Sequence, residues 1–366
     1  MKPLFSSSVL DWFDLHGRKN LPWQRVKSVY NVWISEIMLQ QTQVATVIPY
    51  YQRFMQSFPD VSALADASLD DVLSHWAGLG YYARARNLHR AAQMIRDDYA
   101  LEFPRDIDHV IDLPGIGKST AGAILSLALN QKHAILDGNV KRVLARYHRI
   151  EGWAGHTRVL NQYWQYAERY TPLNRVADYN QAMMDLGSMV CTRSQPQCER
   201  CPLNRSCEAH RYQQESSFPL PRPKKPQLIK QTKMLMLCNE QNNVLIQQRP
   251  PVGIWGGLWS LPECAPDEDI YAFVETHFGQ KIKTITEWET VRHTFSHFHL
   301  DITPIKAVVD DPVSRVMEAD ASVWYNTEPT KKKQHRGFAA PVKRLLERLE
   351  MQFQDQSQNE IRREYE

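Results

Sequence analysis

Leu113-Pro114-Gly115-Ile116-Gly117-Lys118-Ser119 ends one helix-like run and opens another at Thr120 to Leu129, where Ile124, Leu127 and Ala128 recur at helical spacing. Two glycines separated by one apolar residue permit a tight turn with outward-facing amides. Those amides lie beside a helix N-terminus, which attracts anions. There is no Walker pattern, so a nucleoside triphosphate is not implied. Pro-Gly-x-Gly between helices also fits plain turn chemistry. Because the turn precedes a helix and not a strand, it matches two helices joined by a hairpin that grips a backbone phosphate.

Around this hairpin, residues 1 to about 210 read as helical. Val32, Trp33, Ile37 and Val44 keep the three- and four-residue spacing, and Gly78 to Gly80, Pro104 and Gly152 punctuate the segments. The stretch from Gln213 to Lys233 holds Pro219, Pro221, Pro223 and Pro226 with Lys224 and Lys225, and reads as an extended basic linker. Beyond it, Met234–Leu237 and Val244–Ile246 are short β-prone runs around Asn242-Asn243, a hairpin signal. Strands are also expected at Thr284–Ile285, His299–Ile305 and Val323–Tyr325, and a helix at Pro341–Leu349. The tail after Met351 is polar and reads as frayed. An all-helical N-terminal domain and a smaller α+β C-terminal domain follow.

The net charge of +3 argues only weakly for a polyanionic partner. Asp11 and Asp14 interrupt any secretory signal, and no stretch approaches a membrane span. A cytosolic setting follows, in which thiols are read as metal ligands or core residues before disulfides. Four of the six cysteines, Cys191, Cys198, Cys201 and Cys207, form C-x6-C-x2-C-x5-C. Such a group points to a bound metal centre. Zinc and a [4Fe–4S] cluster both take four thiolates. Zinc sites usually show two tight C-x2-C knuckles; the wide loops here better suit a larger cubic cluster. Arg193, Arg200 and Arg205 in and beside the loops suit phosphate contact. A stability staple is the plainer reading, and both can hold. Cys238 and Cys264 read as core thiols.

Two carboxylates stand out. Glu36 lies mid-helix with apolar neighbours on several sides, where partial desolvation would raise its pKa and suit a general acid. A solvated helix glutamate fits the residues at least as well. Asp137 opens Asp-Gly-Asn-Val before an amphipathic helix, and Asp is a common N-cap. The same helix terminus would keep it ionised, as a cationic sugar transition state requires. Opposed tuning of two carboxylates is the arrangement of glycoside cleavage.

Together these residues resemble the MutY-type adenine DNA glycosylases of the helix–hairpin–helix superfamily. The motifs are Leu-Pro-Trp at 21–23, the Glu36 helix, Gly-Leu-Gly-Tyr-Tyr at 78–82, the hairpin, Asp-Gly-Asn-Val at 137–140, Asn-Gln-Ala-Met-Met-Asp-Leu-Gly at 180–187, the four cysteines, and Phe295-Ser296-His297. The resemblance covers the chain to about residue 350. It implies a helical catalytic domain over 1–212 with a [4Fe–4S] cluster loop at 191–207, and a linker over 213–232. A Nudix-like α+β lesion-recognition domain over 233–350 and a polar tail over 351–366 complete it.

It also implies a mechanism. Glu36 protonates adenine N7, and Asp137 stabilises the oxocarbenium-like sugar, directly or through a transient adduct, before water attacks. Asn139 orients Asp137. The flipped adenine lies near Trp23, Gln24, Leu39 and Gln181, since an amide can donate and accept to a purine edge. Gln41 and Tyr81 form a wedge in the base stack. Leu113, Gly115, Gly117, Lys118 and Ser119 hold the DNA backbone. Related enzymes resembling endonuclease III carry a nucleophilic lysine where this chain has Ser119, so a monofunctional enzyme is expected. Its partner is duplex DNA with adenine opposite 8-oxoguanine or guanine; a monomer with no membrane association is expected, in the cytoplasm and on the nucleoid when bound to DNA.

Gly256-Gly257-Leu258-Trp259-Ser260-Leu261-Pro262 resembles the opening of a Nudix box, but the acidic Mg²⁺-binding helix that should follow is missing, which argues against a pyrophosphohydrolase. In the family this domain reads 8-oxoguanine, with Phe295, Ser296 and His297 implied; His293 and His299 fit ordinary strand positions equally well. The rivals are a bifunctional pyrimidine glycosylase/lyase, a non-catalytic damage-binding protein and a nucleotide-pool hydrolase.

Overall fold

The computed structural model describes residues 5–223, 226–295, 297–310, 322–326 and 336–364, with side chains to 355. The chain forms two compact units, both discontinuous in sequence: Met1–Ala67 with Arg84–Lys224, and Ser68–Ala83 with Lys225–Glu366.

The first unit is helical, as the apolar spacing requires. Its helices are α1 (Phe5–His16), α2 (Pro22–Arg25), α3 (Val29–Leu39), α4 (Val44–Ser57) and α5 (Val61–Asp66); α6 (Leu69–Trp76) falls in the second unit. There follow α7 (Ala83–Asp98), α8 (Ile107–Asp112), α9 (Lys118–Leu129), α10 (Gly138–His148), α11 (Thr157–Tyr170), α12 (Val176–Asp185) and α13 (Glu208–Arg211). Ser28 caps α3 by accepting from the Asn31 amide at 3.0 Å. Val32, Trp33, Ile34, Ile37 and Met38 bury α3 almost completely. Arg84 closes its other end, donating to the carbonyls of Ile37, Met38 and Gln40.

Two glycines set close approaches. A Cβ at Gly122 would fall 2.6 Å from the Ala134 carbonyl oxygen, so only glycine lets α9 pack on the segment that runs into Asp137. A Cβ at Gly187 would fall 2.5 Å from the Asn139 Cβ. Gly187 lies in a π-helical turn (Leu186–Val190) that ends α12 and leads to Cys191. Wide turns of this kind concentrate at functional sites.

In the second unit, β1 (Leu228–Cys238), β2 (Asn243–Gln248), β3 (Trp259–Ser260), β4 (Glu263–Cys264), α14 (Ile270–Phe278), β5 (Ile282–Glu287), β6 (Val291–Thr294), β7 (Phe298–Val309), β8 (Ser322–Asn326) and α15 (Ala340–Glu364) build a mixed sheet with helices. Its main path runs β3-β2-β1-β7-β5, with β1 and β7 parallel and the β1–β2 pair antiparallel. The hairpin expected at Asn242-Asn243 is present, with Asn242 at φ +59°. The strands expected at Met234–Leu237, Val244–Ile246, Thr284–Ile285, His299–Ile305 and Val323–Tyr325 all fall within these elements.

The structure differs from the sequence reading in three places. Residues 228–232, read as linker, are the first half of β1; they pair in parallel with 298–302 but stay largely exposed, so they carry no apolar alternation to betray them. The helix read at 341–349 continues to Glu364, past the tail boundary at Met351, because 352–364 holds neither Gly nor Pro and is rich in Gln, Glu and Arg. Ser68–Ala83, read as part of the helical domain, belongs with the C-terminal sheet. Asp70 of α6 accepts from Trp259 Nε1 and from Gln248 Nε2, each at 3.2 Å, and Leu73 packs on Gly337. Among the described residues no helix is long and apolar enough to cross a membrane.

Candidate active site

A cleft of about 800 Å³ in the helical unit is lined by nine of the residues singled out above: Trp23, Glu36, Leu39, Gln41, Ser119, Asp137, Asn139, Gln181 and Arg193. They come from α2, α3, α9, α10, α12 and the connecting turns, so the cleft exists only once those helices pack.

Glu36 is half-buried on α3, and its carboxylate takes no hydrogen bond from any described residue. Burial, helped by the negative charge of Asp137, pushes its pKa up to about 8. It is therefore a neutral acid at pH 7 with its proton uncommitted. Asp137 is held on both oxygens. As N-cap of α10, its Oδ1 accepts from the Val140 amide at 2.8 Å, while Oδ2 accepts from Asn139 Nδ2 at 2.9 Å. Local helix-start chemistry thus aims a carboxylate into the cleft beside the acid.

Arg142 of α10 extends this network. Its Nη2 donates to Asn139 Oδ1 at 2.8 Å and to the Gly187 carbonyl at 2.6 Å, and its Nε donates to the Cys191 carbonyl at 2.7 Å. Asp137 is thereby tied through Asn139 and Arg142 to the first cysteine of the loop. The only sequence hint was a basic residue three positions after Asn139, on the same helix face. Arg142→Ala leaves three acceptors without their charged donor, each worth about 1.5–3 kcal/mol. A melting temperature lower by several degrees and turnover slowed roughly tenfold to a hundredfold are expected; calorimetry and single-turnover kinetics check both, and intact kinetics would show that Asn139 holds Asp137 unaided.

Other assigned residues lie elsewhere or do something else. Gln24 does not line the cleft. Its Oε1 accepts from the Leu21 amide at 3.0 Å and its Nε2 donates to the Arg18 carbonyl at 3.1 Å, so the capping of the short α2 consumes its amide. Lys118 donates to Glu168 at 2.8 Å and sits 4.3 Å from the Trp164 ring centre. Ser119 Oγ accepts from the Leu136 amide at 2.8 Å, which ties α9 to the approach to Asp137. Within the hairpin, Leu113 and Ile116 are buried anchors, whereas Gly115 (φ +81°) and Gly117 present their backbone to solvent. Gln41 (φ +57°) and Tyr81 (φ +52°) are each held in the left-handed region, which non-glycine residues rarely adopt, and Tyr81 is half exposed.

Cys191, Cys198, Cys201 and Cys207 carry free thiols and line one pocket with Val143, Leu203 and Arg146. Arg146 Nη1 donates to Cys191 Sγ at 3.3 Å and to the Thr192 carbonyl at 2.7 Å. Burial pushes the Cys198 and Cys201 thiols up to about 12. His210 and Glu215 border the pocket and pair with each other at 2.7 Å. Arg193, Arg200 and Arg205 are exposed.

In the C-terminal unit, Phe295 stacks on Phe298 at 4.5 Å and packs near Trp255 and His293. His297 is exposed, with its ring 4.7 Å from Phe298. Ser296 lies outside the described residues. The Nudix-position helix α14 forms, capped by Asp269, but carries Glu275 as its single acidic residue.

Comparison with known proteins accords with this geometry. Residues 34–169 match the HhH-GPD superfamily base excision DNA repair protein family, and residues 233–348 match the NUDIX domain. An adenine DNA glycosylase of Buchnera aphidicola subsp. Acyrthosiphon pisum is 40% identical over 94% of this chain and 97% of its own length. The chain belongs to the adenine DNA glycosylase family. A human adenine DNA glycosylase is 43% identical over 58% of this chain and 40% of its own length. The solved structure of a thermostable thymine-DNA glycosylase covers 57% of this chain and 95% of its own, at 26% identity and a TM-score of 0.50.

Proposed function

We propose that this chain hydrolyses the N-glycosidic bond of adenine mispaired with 8-oxoguanine or guanine in duplex DNA. The observation that carries the reading is Glu36: a carboxyl with no hydrogen-bond partner among the described residues and a pKa near 8, in one cleft with a carboxylate held on both oxygens. Glu36 delivers its proton to N7 of the flipped adenine, which leaves as a neutral base. Asp137 faces the cationic sugar, with Asn139 and Arg142 holding its orientation, and water completes the hydrolysis. Trp23 and Leu39 supply apolar walls for the purine, and Gln181 its polar contact. Gln24 is withdrawn from that role.

Duplex DNA is the partner. The exposed backbone of Gly115 and Gly117 is the phosphate grip, buttressed by Leu113 and Ser119 through packing and a backbone hydrogen bond. Lys118, paired with Glu168, must exchange that partner to reach a phosphate. Gln41 and Tyr81 enter the base stack, and the strained backbone at each supports such a role. Phe295, Ser296 and His297 contact 8-oxoguanine. The enzyme works as a cytoplasmic monomer that acts at the nucleoid.

The four cysteines hold a [4Fe–4S] cluster. Among the described residues no three of their sulfurs lie within 4.8 Å of one another. Four thiolates about 2.3 Å from a single zinc would be only about 3.8 Å apart, so the wider set suits the larger cluster. Cys191, Cys198, Cys201 and Cys207 would hold the cluster and so fix the 191–207 loop, and the Cys191 carbonyl would then keep Arg142 in place.

Ser119 offers no amine, and the Lys118 ammonium is engaged with Glu168 and the Trp164 ring. Purified protein given a duplex with adenine opposite 8-oxoguanine should release adenine and leave a strand that breaks only after alkali. Borohydride should trap no substantial covalent adduct. Efficient trapping, or release of damaged pyrimidines with none from this duplex, would instead establish the bifunctional pyrimidine glycosylase/lyase.

A further inference from the structure

Asp185 lies one helical turn beyond Gln181 on α12 and is fully buried. Its Oδ1 accepts from Gln181 Nε2 at 2.8 Å and from Arg18 Nε and Nη2 at 2.9 and 2.6 Å; its Oδ2 accepts from the Arg18 amide at 2.7 Å. A carboxylate paired with a guanidinium offers only acceptors. Gln181 must therefore turn its NH₂ toward Asp185. Its Oε1 takes no hydrogen bond from any described residue and keeps solvent access, and Gln181 lines the cleft that holds Glu36.

We propose that the Arg18–Asp185 ion pair is a specificity device that locks the Gln181 amide with its oxygen outward, so that the site takes a purine bearing an exocyclic amine at C6 and rejects the 6-oxo purine that deamination produces. The inference rests on the adenine reading above and deepens it. An amide free to rotate presents either polarity to the base edge and discriminates little. With its nitrogen held by a buried carboxylate, the amide presents an acceptor. A 6-amino group donates to that oxygen. A 6-oxo group places a second acceptor against it, and once the base fills the cleft neither oxygen recovers its lost hydrogen bond. Asp185 is fully buried, so it is a positioning residue that acts through Gln181, and Arg18, which lines the same cleft, holds it by the ion pair.

The test is the ratio of single-turnover release rates for adenine and hypoxanthine at the same position, opposite guanine, in one duplex sequence. The ratio cancels any general loss of folding or DNA binding. Wild type should favour adenine by about a hundredfold or more, as expected of a site built around one hydrogen bond. Asp185→Asn is nearly isosteric but offers both a donor and an acceptor, so Gln181 can turn either way; its ratio should fall at least about tenfold, chiefly through slower adenine release. Gln181→Leu keeps the ion pair and removes the amide, and should lower the ratio similarly even if Asp185→Asn fails to fold. An Asp185→Asn variant that slows both bases equally, or a Gln181→Leu variant that keeps the wild-type ratio, overturns the inference. So does a wild type that releases adenine without preferring it to hypoxanthine. A wild type that releases no adenine overturns instead the reading on which the inference rests.

Discussion

Glu36→Gln should slow single-turnover adenine release by about a thousandfold, within the range for loss of a positioned general acid. That corresponds to about 4 kcal/mol of transition-state stabilisation. Glutamine keeps the shape of the side chain and has no proton to give, so duplex affinity should change little. The pH profile supplies a second check. The competent form of Glu36 is protonated, and its pKa near 8 means that wild-type activity should hold through neutral pH and fall as pH rises through about 8. Glu36→Gln should lose that alkaline limb. Folding stability must show the same group. The folded-state pKa lies above the ordinary 4.5, so between about pH 4.5 and 8 the native state binds the extra proton and this group erodes stability as pH rises. The variant should therefore melt above wild type, by a margin that widens over that window. Unchanged adenine release, or a melting difference flat across the window, would mean that Glu36 is an ordinary solvated helix residue.

Asp137→Asn should cost about a hundredfold to a thousandfold in the same assay, the effect of removing one preorganised electrostatic partner of a developing charge. Its interest lies in the separation of two roles. Asparagine caps a helix as well as aspartate, so α10 should form and the melting temperature should move little. A carboxylate that mattered only as a cap would then leave the rate intact. The pair is also coupled: the charge on Asp137 helps to raise Glu36, so its removal should shift the alkaline limb of the pH profile to lower pH. A rate within tenfold of wild type, with an unmoved alkaline limb, would take Asp137 out of the chemistry.

Much of the fold was legible because it depends on local rules. The apolar spacing of α3 and α9, the glycines of the hairpin, and the Asn242-Asn243 turn each act over a few residues. The first half of β1 was illegible because an exposed strand need not alternate, and the continuation of α15 because a polar helix resembles a polar tail. The membership of Ser68–Ala83 in the second unit depends on Asp70 meeting Trp259 and Gln248 far along the chain, which no local pattern encodes.

The candidate site divides in the same way. By itself the sequence determined that Asp137 begins a helix, that four cysteines form one group, and that a charged residue sits among apolar neighbours at 36. Those are properties of residue type and spacing. Only the tertiary structure decided that Glu36 is an acid with its proton held up to about 8, because that value comes from burial by other helices and from a carboxylate a hundred positions away. It alone withdrew Gln24 to the backbone, paired Lys118 with Glu168, and linked Asp137 to Cys191 through Arg142. Hydrogen bonds and desolvation depend on distances between elements, and those distances exist only after packing.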